Sequence, residues 1–198
     1  MEKEFKAGLG DMANLRAQLI AYAPCNAQEA QDRQMMLRAI DTMPDALTRK
    51  NVFAHFTASS WIVNPARTRV LMAYHNIYRA WAWTGGHADG DGDLLAVALR
   101  EAREETGVEA IEPVTDAVYS IEVVPVNPHV KRGKFVSGHL HLNVTYLLCA
   151  DDRQPIHPKP DENSAVGWMT LGEAEDNRDE PYMAVIYKKL NEKLKQFR

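Results

Sequence analysis

Glu101, Glu104 and Glu105 stand together in the segment Arg100-Glu101-Ala102-Arg103-Glu104-Glu105-Thr106-Gly107-Val108. On a helix, the spacing i, i+3, i+4 brings three carboxylates to one side. Such a group works against its own helix. Glu101 and Glu105 are like charges one turn apart, at a cost of roughly a few tenths of a kcal/mol. Glu104 and Glu105 also fall in the last turn, where the helix dipole favours cations. Arg100 can offset part of this by pairing with Glu104. A hard divalent cation reverses the sign of all these costs. Mg²⁺ takes carboxylate oxygens, keeps several waters and shares its other positions with substrate phosphates. Upstream, Gly85-Gly86 lets the backbone approach the same point closely. The residues therefore point to a carboxylate-bound metal beside a Gly-rich loop. The plainer alternative is a solvated acidic face.

The glutamates need a helix, and the pattern supplies one from Leu94 to Thr106. Asp93 is a natural N-cap. Leu95, Ala98, Leu99 and Ala102 form an apolar stripe, with the glutamates expected on the opposite side. Gly107 suits the position just past the C-terminus. Asp89-Gly90-Asp91-Gly92-Asp93 before it cannot be regular structure. Earlier, Phe5, Leu9, Met12 and Leu19 fall at helical spacing. Asn26 can cap a second helix through Asp41, with Ala30, Leu37 and Ile40 on one side. Strands are expected at Phe56–Val63, at Arg69–His75, and at Arg79–Thr84, the last ended by Gly85-Gly86. Further strands are expected at Val114–Val126, Gly138–Cys149 and Val166–Thr170. In the Gly138–Cys149 strand, Leu140, Leu142, Val144 and Tyr146 share one face. His139, His141, Asn143 and Thr145 share the other. Pro181 opens a last helix carrying Met183, Ile186, Tyr187, Leu190, Leu194 and Phe197 on its apolar side. This order predicts an α+β fold, a mixed β-sheet sandwiched between helices.

Composition narrows the function. The chain has 198 residues, 45% hydrophobic and 25% charged, enough for a sizeable core. Its net charge of −4 argues against a nucleic-acid partner. Two cysteines make no disulfide framework and suit a reducing compartment. No apolar run approaches a membrane span, and the amino terminus reads as no signal peptide. A cytoplasmic location is expected.

The segment Gly86 to Val108 resembles the Nudix box, the signature of the Nudix hydrolase superfamily. Gly86, Arg100, Glu101, Ala102, Glu104, Glu105, Gly107 and Val108 occupy the positions of that pattern. One position departs: the first glutamate of the box is Gly92, flanked by Asp91 and Asp93, whose carboxylates could stand in for it. The order of strands and helices from about Val52 to Phe197 also resembles the family. Residues 1–50 are then an added N-terminal helical extension, and 51–198 the Nudix domain. The resemblance implies Mg²⁺-dependent hydrolysis of a pyrophosphate bond in a nucleoside diphosphate linked to another group X, with Mn²⁺ an alternative ion. It implies a small phosphorylated substrate and a domain able to pair as a homodimer. Glu104 and Glu105 become the principal metal ligands, Glu101 a further ligand or base, and Gly85 a carbonyl donor. Arg100, Gly86, Gly107, Asp91 and Asp93 support the site. Two other readings stay within the fold. A non-catalytic ligand sensor predicts broken carboxylates, yet all three are present. An isopentenyl-diphosphate isomerase predicts a cysteine after the Gly-rich turn, where His87-Ala88-Asp89 stands.

Other residues complete the expected site. Glu162, before the strand Val166–Thr170, resembles a loop glutamate that many Nudix enzymes use as an extra ligand or base. His139 and His141 could contact phosphate or position water, and His87 directly follows Gly86. His55 and His75 are weaker candidates, and no tight His/Cys spacing signals zinc. Lys131 and Arg132, in an otherwise acidic chain, are a candidate phosphate clamp. Arg79 is a second one. The four tryptophans read as aromatic core by default, and Cys149 as a small buried residue.

Overall fold

The structure, a computed structural model, describes residues 2–131, 133–176 and 180–197, with the backbone alone for 2–11 and 131. Its elements run α1 (Glu2–Ala21), α2 (Ala27–Thr42), β1 (Ala54–Val63), β2 (Arg69–His75), β3 (Ala80–Ala82), β4 (Thr84–His87), α3 (Leu94–Thr106) and β5 (Ile111–Pro113). Then come β6 (Ser120–Val126), β7 (His129–Lys131), β8 (Lys134–Val136), β9 (His139–Ala150), β10 (Asn163–Thr170), α4 (Leu171–Glu175) and α5 (Pro181–Leu194). The main sheet has the order β10-β2-β1-β9-β5, with β3 on β2, β4 on β1 and β6 on β9; β7 and β8 form a separate hairpin. It is the expected α+β fold, a mixed sheet with flanking helices. Among the described residues, no helix is long and apolar enough to cross a membrane.

The chain divides into two units, with β1, β4, α3 and β9 each having residues in both. The first holds residues 1–58, 86–97 and 117–145. Here Asn26 caps α2 by accepting the Glu29 N–H at 2.9 Å. β6 pairs with β9 antiparallel from Ser120↔Thr145 to Val126↔His139. The alternation expected on β9 is present, and its polar face is partly buried. Thr57 donates to Asn143 Oδ1 at 3.0 Å, and Asn143 and Thr145 both donate to Glu122 Oε2, at 3.1 and 2.9 Å. Ser120 Oγ reaches Glu29 Oε1 at 2.9 Å. Each of these buried side chains thus finds a partner, as a dry interior favours. Glu29, Met36 and Ala39 are the buried positions of α2, in place of the expected Ala30, Leu37 and Ile40. Hydrogen bonds from Ser120 and from the Cys25 N–H (2.8 Å) draw Glu29 inward and turn the helix with it.

The second unit holds residues 59–85, 98–116 and 146–198. β2 lies at its centre. It pairs antiparallel with β10 from Thr170↔Arg69 to Asn163↔His75, with β3, and with the end of β1 at Val63↔Val70. Pro181 opens α5 as expected. Tyr187 is fully buried, stacks on Trp61 with ring centroids 5.2 Å apart, and accepts the Trp83 N–H at 3.2 Å. Asn191 ties α5 to α4 through Leu171 O at 3.0 Å and Glu175 Oε1 at 2.9 Å.

Three expectations need correction. The strand expected at Val114–Val126 begins only at Ser120, as β6, with β5 before it at Ile111–Pro113, because the chain leaves β9 between bonds at Val114 (to Leu147 O) and Tyr119 (to Thr145 O). The Gly85-Gly86 pair lies inside β4 rather than ending a strand, since β4 pairs with β1. The buried face of α3 is Leu94, Val97, Ala98 and Ala102, while Leu95 and Leu99 are only half-buried. Residues 94–99 are apolar all round the helix, so the pattern alone does not choose the inward side.

Candidate active site

Helix α3 begins at a built cap. The Asp93 N–H donates to Asp91 Oδ1 at 3.0 Å, and Asp93 Oδ1 accepts the Ala96 N–H at 3.0 Å. Asp91 and Asp93 thus hold the loop and start the helix. The far end is fixed by Gly107, whose φ of +72° favours glycine. A Cβ there would stand 2.4 Å from the His157 ring. The same segment returns a bond, from the His157 N–H to Thr106 O at 2.8 Å. In the middle, Ser60 Oγ donates to Ala98 O at 3.1 Å. The helix that carries the glutamates is held along its length.

The glutamates differ in environment. Glu105 is buried, at 7% exposure, and continues the inward face of α3 through Ala98 and Ala102. That corrects the expectation that all three lie opposite the apolar stripe. Burial pushes its carboxyl up to about 8, and the charges of Glu101 and Glu162 push the same way. A backbone hydrogen bond from Gly85 and the Lys159 ammonium pull it partly back. Burial, then Glu104, also raises Glu101 against the opposing Arg100. Arg100 reaches Glu101 Oε1 at 3.4 Å. Glu104 is more open and pairs with Lys159 Nζ at 3.1 Å.

Lys159, which sequence reasoning passed over, also binds Glu162 Oε2 at 3.1 Å. Burial lowers its affinity for a proton, but bonds to Glu162 and Glu104 outweigh that and raise it overall. One ammonium thus bridges the helix and the loop before β10. That loop is a turn, with Glu162 N–H and Asn163 N–H on Lys159 O, and Glu162 O accepting the Asn76 N–H at 2.9 Å. The only sequence signal was its place three residues before Glu162, between two prolines. Asn76 opens the turn that carries Arg79, which has φ +53° and accepts the Tyr74 hydroxyl on its carbonyl at 2.8 Å. His75 serves the same turn, its Nδ1 accepting the Ile77 N–H at 3.2 Å. Glu101, Glu104, Glu105, Glu162, Gly85, Arg79, Arg100 and Gly107 therefore all belong to the second unit.

The histidines gather in the first unit. His55 lies 5.1 Å from His87, 5.0 Å from His139 and 5.1 Å from His141, ring centre to ring centre. Burial, with the neighbouring imidazoles, drives His141 down to about 2, so it is neutral at ordinary pH. Burial lowers His55 too. His55 and His141 are thereby turned toward lone pairs rather than the positive charge of a phosphate clamp. Lys131 ends β7 at the tip of the β7–β8 hairpin; Arg132 lies outside the described residues. Cys149 is half-buried, and burial raises its thiol, which disfavours the reactive thiolate.

A NUDIX domain model matches residues 54–190. Among solved structures, the chain is similar to an Ap4A hydrolase of C. elegans, with 19% identity over 72% of this chain and 96% of that one, and a TM-score of 0.52. It is also similar to RenU, a Nudix hydrolase of M. smegmatis, with 18% identity over 74% of this chain and 89% of that one, and a TM-score of 0.55. At these identities the likeness is one of fold. None of the curated proteins matches the chain.

Proposed function

The chain belongs to the NUDIX family, and from that premise we propose that it is a Mg²⁺-dependent hydrolase cleaving a pyrophosphate bond in a nucleoside diphosphate derivative. The observation that carries this reading is the set Glu101, Glu104, Glu105 and Glu162, four carboxylates met by Lys159 and, at Glu101, by Arg100. The set fits a hard divalent ion. Its donors are all oxygens, and burial, with the charges of Glu101 and Glu162, keeps Glu105 protonated up to about pH 8. Glu104 and Glu105 would be the principal ligands, and the backbone of Gly85 lies beside Glu105. Mn²⁺ would suit the same donors. When bound, the ion would supply charge neutralisation for the phosphate oxygens.

The chain's own groups do the rest. Glu101 or Glu162 would take the proton from the attacking water, and the raised affinity of Glu101 for a proton suits a base. Arg100 holds Glu101 in register. Lys159 keeps Glu104 and Glu162 together. Arg79 is a candidate for the departing phosphate.

The test is phosphate release from nucleoside diphosphate sugars, dinucleoside polyphosphates, nucleoside triphosphates and prenyl diphosphates, with Mg²⁺ and with chelator. The second class is included because the C. elegans neighbour is an Ap4A hydrolase. Turnover of one class, lost with chelator and reduced at least about a hundredfold in Glu105→Gln, is expected. Saturable binding of these ligands without turnover would overturn the reading in favour of a sensor.

A further inference from the structure

We propose that His55, His139 and His141 form a second metal site, one for a borderline divalent transition ion of the Zn²⁺ class. The three rings come from β1 and from one face of β9, and their donor atoms all lie within 4.8 Å of one another. This proposal is independent of the carboxylate site.

Tautomers are fixed by the backbone. His55 Nδ1 lies 3.0 Å from Asn51 O, and His139 Nδ1 lies 2.8 Å from Ser137 O. A carbonyl only accepts, so each Nδ1 carries the hydrogen and each Nε2 keeps its lone pair. A carbonyl behind the ring is the arrangement that orients metal-ligating histidines. His139 Nε2 and His141 Nε2 are 3.2 Å apart. Two nitrogens bound at about 2.0–2.1 Å to one tetrahedral Zn²⁺ stand about 3.3–3.4 Å apart. A hydrogen bond from His141 would explain that pair alone. It would leave His55 Nε2, which is buried and has no hydrogen-bond partner among the described residues. A metal ion satisfies all three lone pairs together.

The donor set selects the ion. Three neutral imidazoles suit Zn²⁺, Co²⁺, Ni²⁺ or Cu²⁺ and are poor ligands for Mg²⁺. The His87 ring, 4.9 Å from His141, stands where a fourth ligand could enter, in competition with water.

The experiment titrates metal-free full-length protein with Co²⁺ and follows its visible ligand-field absorption. One equivalent is expected to give a tetrahedral spectrum that Zn²⁺ abolishes and a large excess of Mg²⁺ leaves in place. His139→Gln, at a half-exposed position, is expected to weaken Co²⁺ binding at least about tenfold. Glu105→Gln is expected to leave it unchanged. Should His139→Gln not fold, Zn²⁺ titration of the unsubstituted protein with long-range ¹H–¹⁵N spectra decides, by shifts of the three Nε2 resonances. Absence of the spectrum, its displacement by Mg²⁺, unshifted Nε2 resonances, or equal Co²⁺ binding in His139→Gln would overturn the proposal. Activity on diphosphates has no bearing on any of these outcomes.

Discussion

The two clusters differ in how far apart in the chain their members lie. Three of the four carboxylates come from five consecutive residues of one helix, and the fourth from a single loop. The histidines come from positions 55, 87, 139 and 141, on three strands. The first cluster is crowded with negative charge and draws in Lys159. The second is built from imidazoles, with burial holding His55 and His141 away from the charged form and the carbonyls of Asn51 and Ser137 behind two of the rings. A helix writes its site into local spacing, whereas a sheet writes it into the pairing of distant strands. The same two-residue step that puts His139 and His141 on one face says nothing about His55.

The largest effect that can break this contrast lies in pH. Glu105 holds its proton in the folded protein up to about 8, whereas an ordinary glutamate releases it near 4.5. Between those values the folded state binds the extra proton. The contribution of Glu105 to the stability of the metal-free protein is therefore fully present below about 4.5 and lost as pH rises through about 8, by an amount on the order of a few kcal/mol at most. Denaturant midpoints across that range should show the loss. Glu105→Gln should flatten it, and so should saturating Mg²⁺, which favours the ionised carboxylate. An unchanged slope in Glu105→Gln would mean that the carboxylate cluster is not the charged, crowded region described above.

Next comes the backbone at the end of α3. Gly107→Ala should cost about 2–4 kcal/mol, from the left-handed backbone and the clash with His157. Thermal melts measure this, and a loss within error would show that the His157 segment gives way. The smallest effect sharpens the comparison from the charge side. Lys159→Met removes the cation that competes for Glu104 and Glu162, so the Mg²⁺ concentration for half-maximal stabilisation should fall about two- to fivefold. A rise instead would make Lys159 part of the binding machinery rather than a rival to the ion.

Much of the fold was legible because its signals are local. Asn26, Asp93, Gly107 and Pro181 mark helix ends through caps and φ angles that only the nearest residues decide. Helix α3 and the alternation of β9 follow from period alone. The inward face of α3 was not legible, since residues 94–99 are apolar on every side. Nor was the burial of Glu29, which depends on Ser120 some ninety residues away. The carboxylates could be read from their spacing, and Glu162 from resemblance. Lys159 could not, because a lysine in a polar loop looks like any solvated charge until the loop is folded against the helix.

The place of Tyr187 has a consequence for the order of synthesis. Every residue of the histidine cluster has left the ribosome's active centre once position 141 is made. The second unit waits longer. Until position 187 is added, nothing stacks on Trp61 from α5, and the Trp83 N–H, two residues before Gly85, lacks the hydroxyl that accepts it. During translation the region around Gly85 is thus among the last to acquire its final neighbours, although the glutamates of α3 were made some eighty residues earlier.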